Sequence, residues 1–420
     1  MFTGSFGAKG YNACSARASR ASWLIFMQYS SDICVIGNGA VGKAAALGLA
    51  QAGFSVTLLA PAAPADTAPA SWDVRVYALN QIAYDLLDAL KVWQAMDQAR
   101  IAPVDAMDVR GDGAHVGRLA FDAYGARTGA LAWIVEDRNL NAALDTALKF
   151  APNMRVFEGR ATSLRVDAQH AEVRIDNGDI IAAALIVGAD GAQSWVRGQC
   201  DVGLDYRSYA QRAIVTNFEC EKPHHGVAHQ WFTSSEGIIA LLPLPGERVS
   251  LVWSAPDALA EALLRGTPAQ LAERVGEVSG HVLGALRPVR PELVRAFPLA
   301  LLRPHSMVAP RVALVGDAAH VIHLLAGHGM NLGFGDVGAL VKTLSAREPE
   351  RDCGDERVLA RYGRARKEDV LLMQLATDGL ERLFATDFEP VRVVRNLGLN
   401  LVNKLPVIKR QLIAHALGKR

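Results

Sequence analysis

One segment near the start limits the fold more than any other. Residues 32–36 (DICVI) read as a short apolar strand, followed by Gly37-Asn38-Gly39-Ala40-Val41-Gly42 and an alanine-rich helix to about residue 52. Residues 54–59 (FSVTLL) then read as a second strand. A strand, a GxGxxG turn, a helix and a second strand in this order form a dinucleotide-binding unit. Gly37 permits the tight turn, Gly39 lets a pyrophosphate approach the backbone, and Gly42 lets helix and strand pack closely. One part is missing. The acid expected at the end of the second strand, for the adenosine ribose, is replaced by Ala60-Pro61, and Asp66 is the nearest carboxylate along the chain.

A second glycine motif stands almost three hundred residues later. The apolar run 312–315 leads into GDAAHVIHLLAGHGMNLGFG, residues 316–335, with Asp317 and glycines at Gly327, Gly329 and Gly333. A strand that passes through such a turn into a helix exposes backbone amides to an electron-rich group. Between the two lies GADGAQSWVR, residues 188–197, with Asp190, Gly191, Ser194 and Arg197. An isolated Asp-Gly reads as a plain strand-end turn, but the longer G-A-D-G-x-x-S-x-V-R run is more specific than a turn requires.

At 420 residues the chain can bury a large core and divide into two domains. A net charge of +1 offers no footprint for nucleic acid. The five cysteines are scattered without a C-x-x-C pair, which fits a reducing compartment such as the cytoplasm rather than a disulfide framework or zinc site. His320, His323 and His328 with Asp317 could be read as metal ligands. That reading leaves the glycines unexplained, so no metal is expected. Residues 1–30 carry Lys9, Arg17 and Arg20 with no acid. They read either as a start placed too early, with Met27 as initiator, or as an organellar targeting segment.

The rest of the chain alternates accordingly. Residues 100–134 suggest strands of a second sheet, 135–148 a strand-to-helix passage, and 156–187 a β-meander with a turn at Asn177-Gly178. Strands are expected at 213–218, 228–232, 237–242 and 249–254, then helices at 256–264 and 268–278. The fold class is therefore α/β: a Rossmann-like binding domain (31–100, 135–200 and 296–375) with a mostly antiparallel-sheet substrate domain (101–134 and 201–295) inserted. A helical tail (376–420) follows. Its end mixes Val394, Leu397, Leu401, Leu405 and Ile408 with Arg392, Arg395, Lys404, Lys409 and Arg410. Such a tail can lie on a membrane surface, as a peripheral contact with the inner membrane, or pack on its own domain.

The three motifs in this order resemble the single-component FAD-dependent aromatic hydroxylases, the para-hydroxybenzoate hydroxylase group. Finer stretches narrow it: RVYALN (75–80), QWF (230–232) with ALLPLP (240–245), SLVWS (250–254), the His320/His323 spacing, and RNLGL (395–399) with LVNKLP (401–406). These resemble the ubiquinone-biosynthesis hydroxylases. The resemblance implies that Gly37, Gly39 and Gly42 hold the ADP pyrophosphate, with Asp190 and Gly191 near it. Asp317 would bond a ribityl hydroxyl, and Gly327, Gly329 and Asn331 would shape the turn beside the flavin ring. Arg75 and Arg138 match family positions near the cofactor, although the residues alone favour a solvated surface charge for Arg75.

The activity implied is ring hydroxylation of a lipid-tailed phenol by a flavin C4a-hydroperoxide. The co-substrate is O2, and electrons come from NAD(P)H or a partner reductase. A ubiquinone-biosynthesis complex is a further implied partner. His229, Gln230 and Trp231 are candidates to face the ring, with a buried structural role equally open for Trp231. Two residues depart from the family pattern. Leu324 stands where a proline is usual, which keeps the carbonyl near the reacting oxygen but loses a fixed φ, and His328 stands where glutamine is usual. With Ala60, these leave open an FAD-binding assembly subunit of the same pathway, and a monooxygenase for another phenol.

Overall fold

The structure, a computed structural model, describes residues 28–61, 72–112, 117–323, 327–385, 395–397, 400 and 403. Residues 1–27, Leu324 and most of the expected amphipathic tail lie outside these. Gln28, Tyr29 and Ser30, read above as part of a leading extension, belong instead to the first strand, Gln28–Ile36. Tyr29 there packs edge-on against Phe157 at 4.5 Å between ring centroids.

The first sheet is built around a parallel core. Its strands run in the order Val308–Ala309, Val312–Leu314, Ile180–Gly188, Gln28–Ile36, Val56–Ala60, Met154–Glu158. Ile33, Cys34, Val35, Leu185, Ile186, Val187 and Ala313 have no exposed surface, as expected for strands covered on both faces. The stretch read as one meander divides. Met154–Glu158 pairs parallel with Val56–Ala60, and only Ala161–Val166, Ala171–Ile175 and Ile180–Gly188 run antiparallel. Alternation cannot separate these cases, because a parallel edge strand shows the same short apolar run.

The second sheet carries Leu204–Cys220, Val227–Thr233, Gly237–Leu244 and Arg248–Pro256 as antiparallel neighbours. Ala106–Arg110 joins it parallel to Val227–Thr233, and Arg118–Asp122 pairs on beyond. Arg295–Pro304 also pairs along Leu204–Cys220, so the return to the parallel sheet comes after residue 304. Ile101–Val104 joins a separate small sheet with Val76–Leu79 and Ala132–Glu136. Helices Asp257–Arg265 and Pro268–Ser279 cover one face of the second sheet, their Ala260, Leu271, Ala272 and Val275 packing on Ile239, Leu241, Leu251 and Trp253. Helix Glu356–Ala385 packs on helix His328–Ser345, and its Phe384 reaches the other face of the second sheet at Phe232 and Ile238. Among the described residues no helix is long and apolar enough to cross a membrane.

Candidate cofactor and substrate site

All three glycine motifs emerge at the carboxyl ends of adjacent parallel strands, where open α/β sheets bind ligands. Gly37 has φ +115°, and a Cβ there would run into the Ala189 carbonyl oxygen of the second motif. A Cβ on Gly42 would run into the Gly37 carbonyl. The motifs are stitched together by Gly37 N–H to Leu59 O (2.9 Å), Ala189 N–H to Ile36 O (2.8 Å) and Val315 N–H to Gly188 O (2.9 Å). Gly39 caps helix Ala40–Gln51 without a side-chain hydrogen bond, no acid lies in the first turn, and nothing stands within 4 Å of a Cβ built on Gly39. The amides at that helix start therefore face open space, which suits a diphosphate.

The second strand does end on an uncharged residue, Ala60. The neighbouring strand ends in Glu158, in register with Ala60 and exposed, so a carboxylate stands one strand over at the same level.

Asp190 has a more local task than expected. Its carboxylate accepts from Ser194 Oγ (2.5 Å) and from the Val196 N–H (3.0 Å), holding the start of the short helix Trp195–Gln199. Gly191 beside it has φ +83° and open space around it. Arg197 is buried and donates to Ala318 O (2.9 Å) and Ala192 O (2.8 Å), tying this turn to the third motif.

The third motif meets the first directly. Gly316 (φ +60°) and Gly333 both press on Val41: Cβ atoms built on them would lie 3.1 Å and 2.8 Å from its γ-methyl groups. Asp336, fully buried, clamps the turn by accepting from the Gly316 N–H (2.9 Å), His320 Nε2 (2.7 Å) and Arg366 Nε (2.7 Å). Burial alone would raise its pKa, but His320 and Arg366 hold the carboxyl below the usual range. His323 turns elsewhere, its Nε2 meeting Gln211 Oε1 at 3.0 Å, and Gln211 Nε2 donates to Glu381 Oε1 at 2.9 Å. Burial lowers the His323 pKa to about 4, so the ring is neutral at physiological pH. Among the described residues no three metal-ligating side chains converge.

Asp317 is the exception in this stretch. Residues 312–316 and 318–320 are buried, whereas Asp317 is accessible, and its carboxylate accepts no hydrogen bond among the described residues. Protein crowds it on most sides, which raises its pKa against the pull of His320 and Arg75. The carboxylate thus opens into a crevice. Arg75 shares that crevice. Its guanidinium is accessible, stands 5.5 Å from the Tyr77 ring centroid, and sits in the field of Asp137, Asp317 and Asp73. Burial works against its charge, but Tyr77 and those three acids more than offset it and raise the pKa. Arg75 is exposed, as the solvated-surface reading expects, and it also stands beside Asp317. Arg138 lies in the first turn of helix Asp137–Lys149, where its N–H reaches Asp73 Oδ2 at 3.3 Å.

At the start of helix His328–Ser345, Gly327 has φ +67° and lies against Ala78, while Gly329 faces open space. Asn331 acts as a clamp: its Oδ1 accepts from the Asn80 N–H (2.9 Å) and its Nδ2 donates to Ala78 O (2.8 Å). Its amide is therefore committed to protein backbone, and it positions the helix start. Sequence reading missed Asp336, Arg366 and Gln211. A charged residue inside the otherwise apolar run NLGFGDVGAL was the available signal for Asp336; Gln211 and Arg366 gave none.

The three candidate ring-facing residues divide between the two faces of the sheet. Trp231 and His229 share a face of strand Val227–Thr233 with their partners Ile239 and Leu241, and that face is covered by helices Asp257–Arg265 and Pro268–Ser279. Side chains alternate along a strand, so both point away from the face opposite. Trp231 is part of the core, and His229 stacks on it with its Nδ1 3.8 Å from Asp108 Oδ2. Burial lowers the His229 pKa despite Asp108, whose own charge is held by Arg110 and Arg118.

The site has the parts an FAD requires: a bare helix start, a crevice with an unpartnered carboxylate, and a second glycine-opened helix start. The match to known proteins agrees. Residues 30–373 match the FAD binding domain family. The chain is 37% identical to 3-demethoxyubiquinol 3-hydroxylase of Escherichia coli, across 92% of this chain and 98% of that one. It is 35% identical to the ubiquinone hydroxylase UbiL of Rhodospirillum rubrum, across 92% and 90%. Among solved structures, PqsL of Pseudomonas aeruginosa, a probable FAD-dependent monooxygenase, shares the fold at a TM-score of 0.73 and 22% identity, across 88% of this chain and 99% of that one. The chain belongs to the FAD-dependent monooxygenases, in the family of the ubiquinone-biosynthesis hydroxylases.

Proposed function

We propose that this protein hydroxylates the aromatic ring of a polyprenyl phenol on the way to ubiquinone, with FAD bound along the three glycine motifs. The observation that carries this reading is Asp317, an accessible and unpartnered carboxylate at the junction of the first and third motifs. In this reading Gly37, Gly39 and Gly42 receive the diphosphate, Gly191 leaves room beside it, and Asp317 accepts from a ribityl hydroxyl. Arg75 and Arg138 flank the crevice. FAD held there would, once reduced, supply two electrons to activate O2, one oxygen atom of which would enter the ring while the other leaves as water.

The chain's own residues then have three tasks. Helix His328–Ser345 starts at Gly327 without a side-chain cap, so its dipole favours negative charge at that end of the site. The fixed turn, held by Asp336, His320, Arg366 and Arg197, keeps that helix start in place without rearrangement during the reaction. Neutral His323 and the apolar face of the second sheet keep water away from the reacting ring. Electrons come from NAD(P)H or from a partner reductase. A lipid-tailed substrate favours work in the cytoplasm at the inner membrane surface, or on the matching mitochondrial membrane, within a complex of the same pathway.

Purified protein should carry FAD and absorb in the visible blue. In a deletion strain an under-hydroxylated polyprenyl phenol should accumulate, and this gene should clear it. Persistence of the intermediate, with normal protein and bound FAD, would replace the hydroxylase reading with the assembly-subunit reading.

A further inference from the structure

On the second sheet, the face turned away from helices Asp257–Arg265 and Pro268–Ser279 carries one transverse row. Register places Val109, Gln230, Ala240, Val252 and Val215 side by side across five strands. On the opposite face the corresponding residues Ile239, Leu241, Leu251 and Trp253 are fully buried, whereas Ala240 and Val252 in the row are only half-buried. Half-exposure in the middle of central strands means that the row borders open space rather than packed protein. Its walls are apolar on both sides: Ala228 packs with Val104 and Ile134 of the small sheet, and Phe232 packs on Phe384 at 4.3 Å.

Gln230 is the one polar side chain in that row. It is 6% exposed, yet its amide atoms are not sealed off, and they form no hydrogen bond among the described residues. The contrast lies on the same sheet, where Ser250 Oγ and Asn217 Oδ1 are also unpartnered but fully enclosed. A nine-tenths buried amide with no protein partner, opening onto an apolar surface, leaves its hydrogen bonds to be completed by water or by a ligand that displaces it. We propose that Gln230 hydrogen-bonds an oxygen substituent of the substrate ring, and so selects oxygenated rings and sets which ring carbon faces the flavin. The inference rests on the proposed site but concerns recognition. An amide suits the task because it can donate to a methoxy or phenolate oxygen and accept from a hydroxyl.

The test uses the FAD-loaded full chain and Gln230→Met, which keeps length and volume while removing both polar atoms. A short-chain prenyl phenol and the matching prenylbenzene, lacking ring oxygen, are titrated against the flavin absorbance spectrum. Wild type should bind the phenol more tightly than the prenylbenzene. Gln230→Met should erase that preference by about five- to tenfold, the worth of one neutral hydrogen bond, with FAD content and melting temperature unchanged. Single turnover of dithionite-reduced enzyme with O2 should then yield less hydroxylated phenol and more H2O2 per flavin. A Gln230→Met protein that keeps the wild-type preference overturns the inference. If wild type binds the phenol but never hydroxylates it, the titration still decides the role of Gln230 while the hydroxylase reading fails by itself. Gln230→Asn provides a second variant, with partial recovery of the preference expected and no difference from Gln230→Met counting against it.

Discussion

Replacing Asp336 with asparagine tests how the flavin end of the site is held. Asp336 is fully buried and accepts from the Gly316 N–H, His320 Nε2 and Arg366 Nε at 2.7–2.9 Å, while Arg366 is itself 6% exposed. The Asp336→Asn amide would keep one acceptor oxygen and turn an NH2 group toward donors, leaving the buried guanidinium with only the more exposed Asp369 (2.9 Å) as counter-charge. Removing one partner of a buried pair costs about 3–5 kcal/mol, a large fraction of the roughly 5–15 kcal/mol that holds a domain together. Urea denaturation followed by tryptophan fluorescence should show the midpoint falling with little change in slope. FAD affinity should fall with it, because the Gly316–Asp317 turn loses its anchor.

The pH dependence gives an independent check. The folded-state pKa of Asp336 is depressed, so its contribution is present above the unfolded value, about 3.9, and is lost as pH falls through the lower folded value. Wild type should therefore lose stability in strong acid more steeply than Asp336→Asn. A midpoint shift worth less than about 1 kcal/mol, or identical acid profiles, would refute this role for Asp336.

Other perturbations separate packing from binding. Gly333→Ala places a Cβ 2.8 Å from a Val41 methyl and 3.2 Å from the Gly316 Cα; overpacking of this kind costs about 1–3 kcal/mol and should lower both melting temperature and FAD content. Gly329→Ala meets nothing within 4 Å, so the apoprotein should melt normally, and any loss would appear only in FAD titration. Asp317→Ala should leave apoprotein stability within about 0.5 kcal/mol while weakening FAD by about tenfold or more, the value of a charge-assisted hydrogen bond; unchanged affinity would remove Asp317 from the site. His323 is buried with a pKa near 4, so the folded state resists a proton that the unfolded chain accepts. Stability from this group is full above about pH 6.5 and declines as pH falls toward 4, and His323→Phe should flatten melting temperature across that window.

The ordering of motifs along the chain was enough to bring out the three glycine turns that meet at one end of the sheet, because backbone requirements leave their mark in glycine. Gly37, Gly42 and Gly333 occupy places where a Cβ has no room, and the sequence shows them openly. What stayed hidden depends on faces and long-range partners. His229 and Trp231 were plausible ring neighbours from position along a strand, yet one residue of alternation decides which side of a sheet is seen, and the covering helices could not be assigned to a side beforehand. Gln230, between them, takes the open side. Asn331, expected to shape a turn, bonds the backbone of two segments, while Asp190 spends its carboxylate on the Ser194 hydroxyl and the Val196 N–H of its own turn. Arg75 is the exposed charge that it looked like, but its neighbour Asp317, more than two hundred residues away in sequence, was not legible.

Hydroxylation itself is tested most directly by lipid analysis of a strain lacking this gene, complemented with wild type or with Asp317→Ala and supplied with 18O2. Complementation by wild type should clear an accumulated under-hydroxylated polyprenyl phenol and place one 18O atom in the product ring, whereas Asp317→Ala should clear it poorly. Accumulation that persists despite normal levels of FAD-loaded wild-type protein, or product formed without 18O, would contradict the hydroxylase assignment.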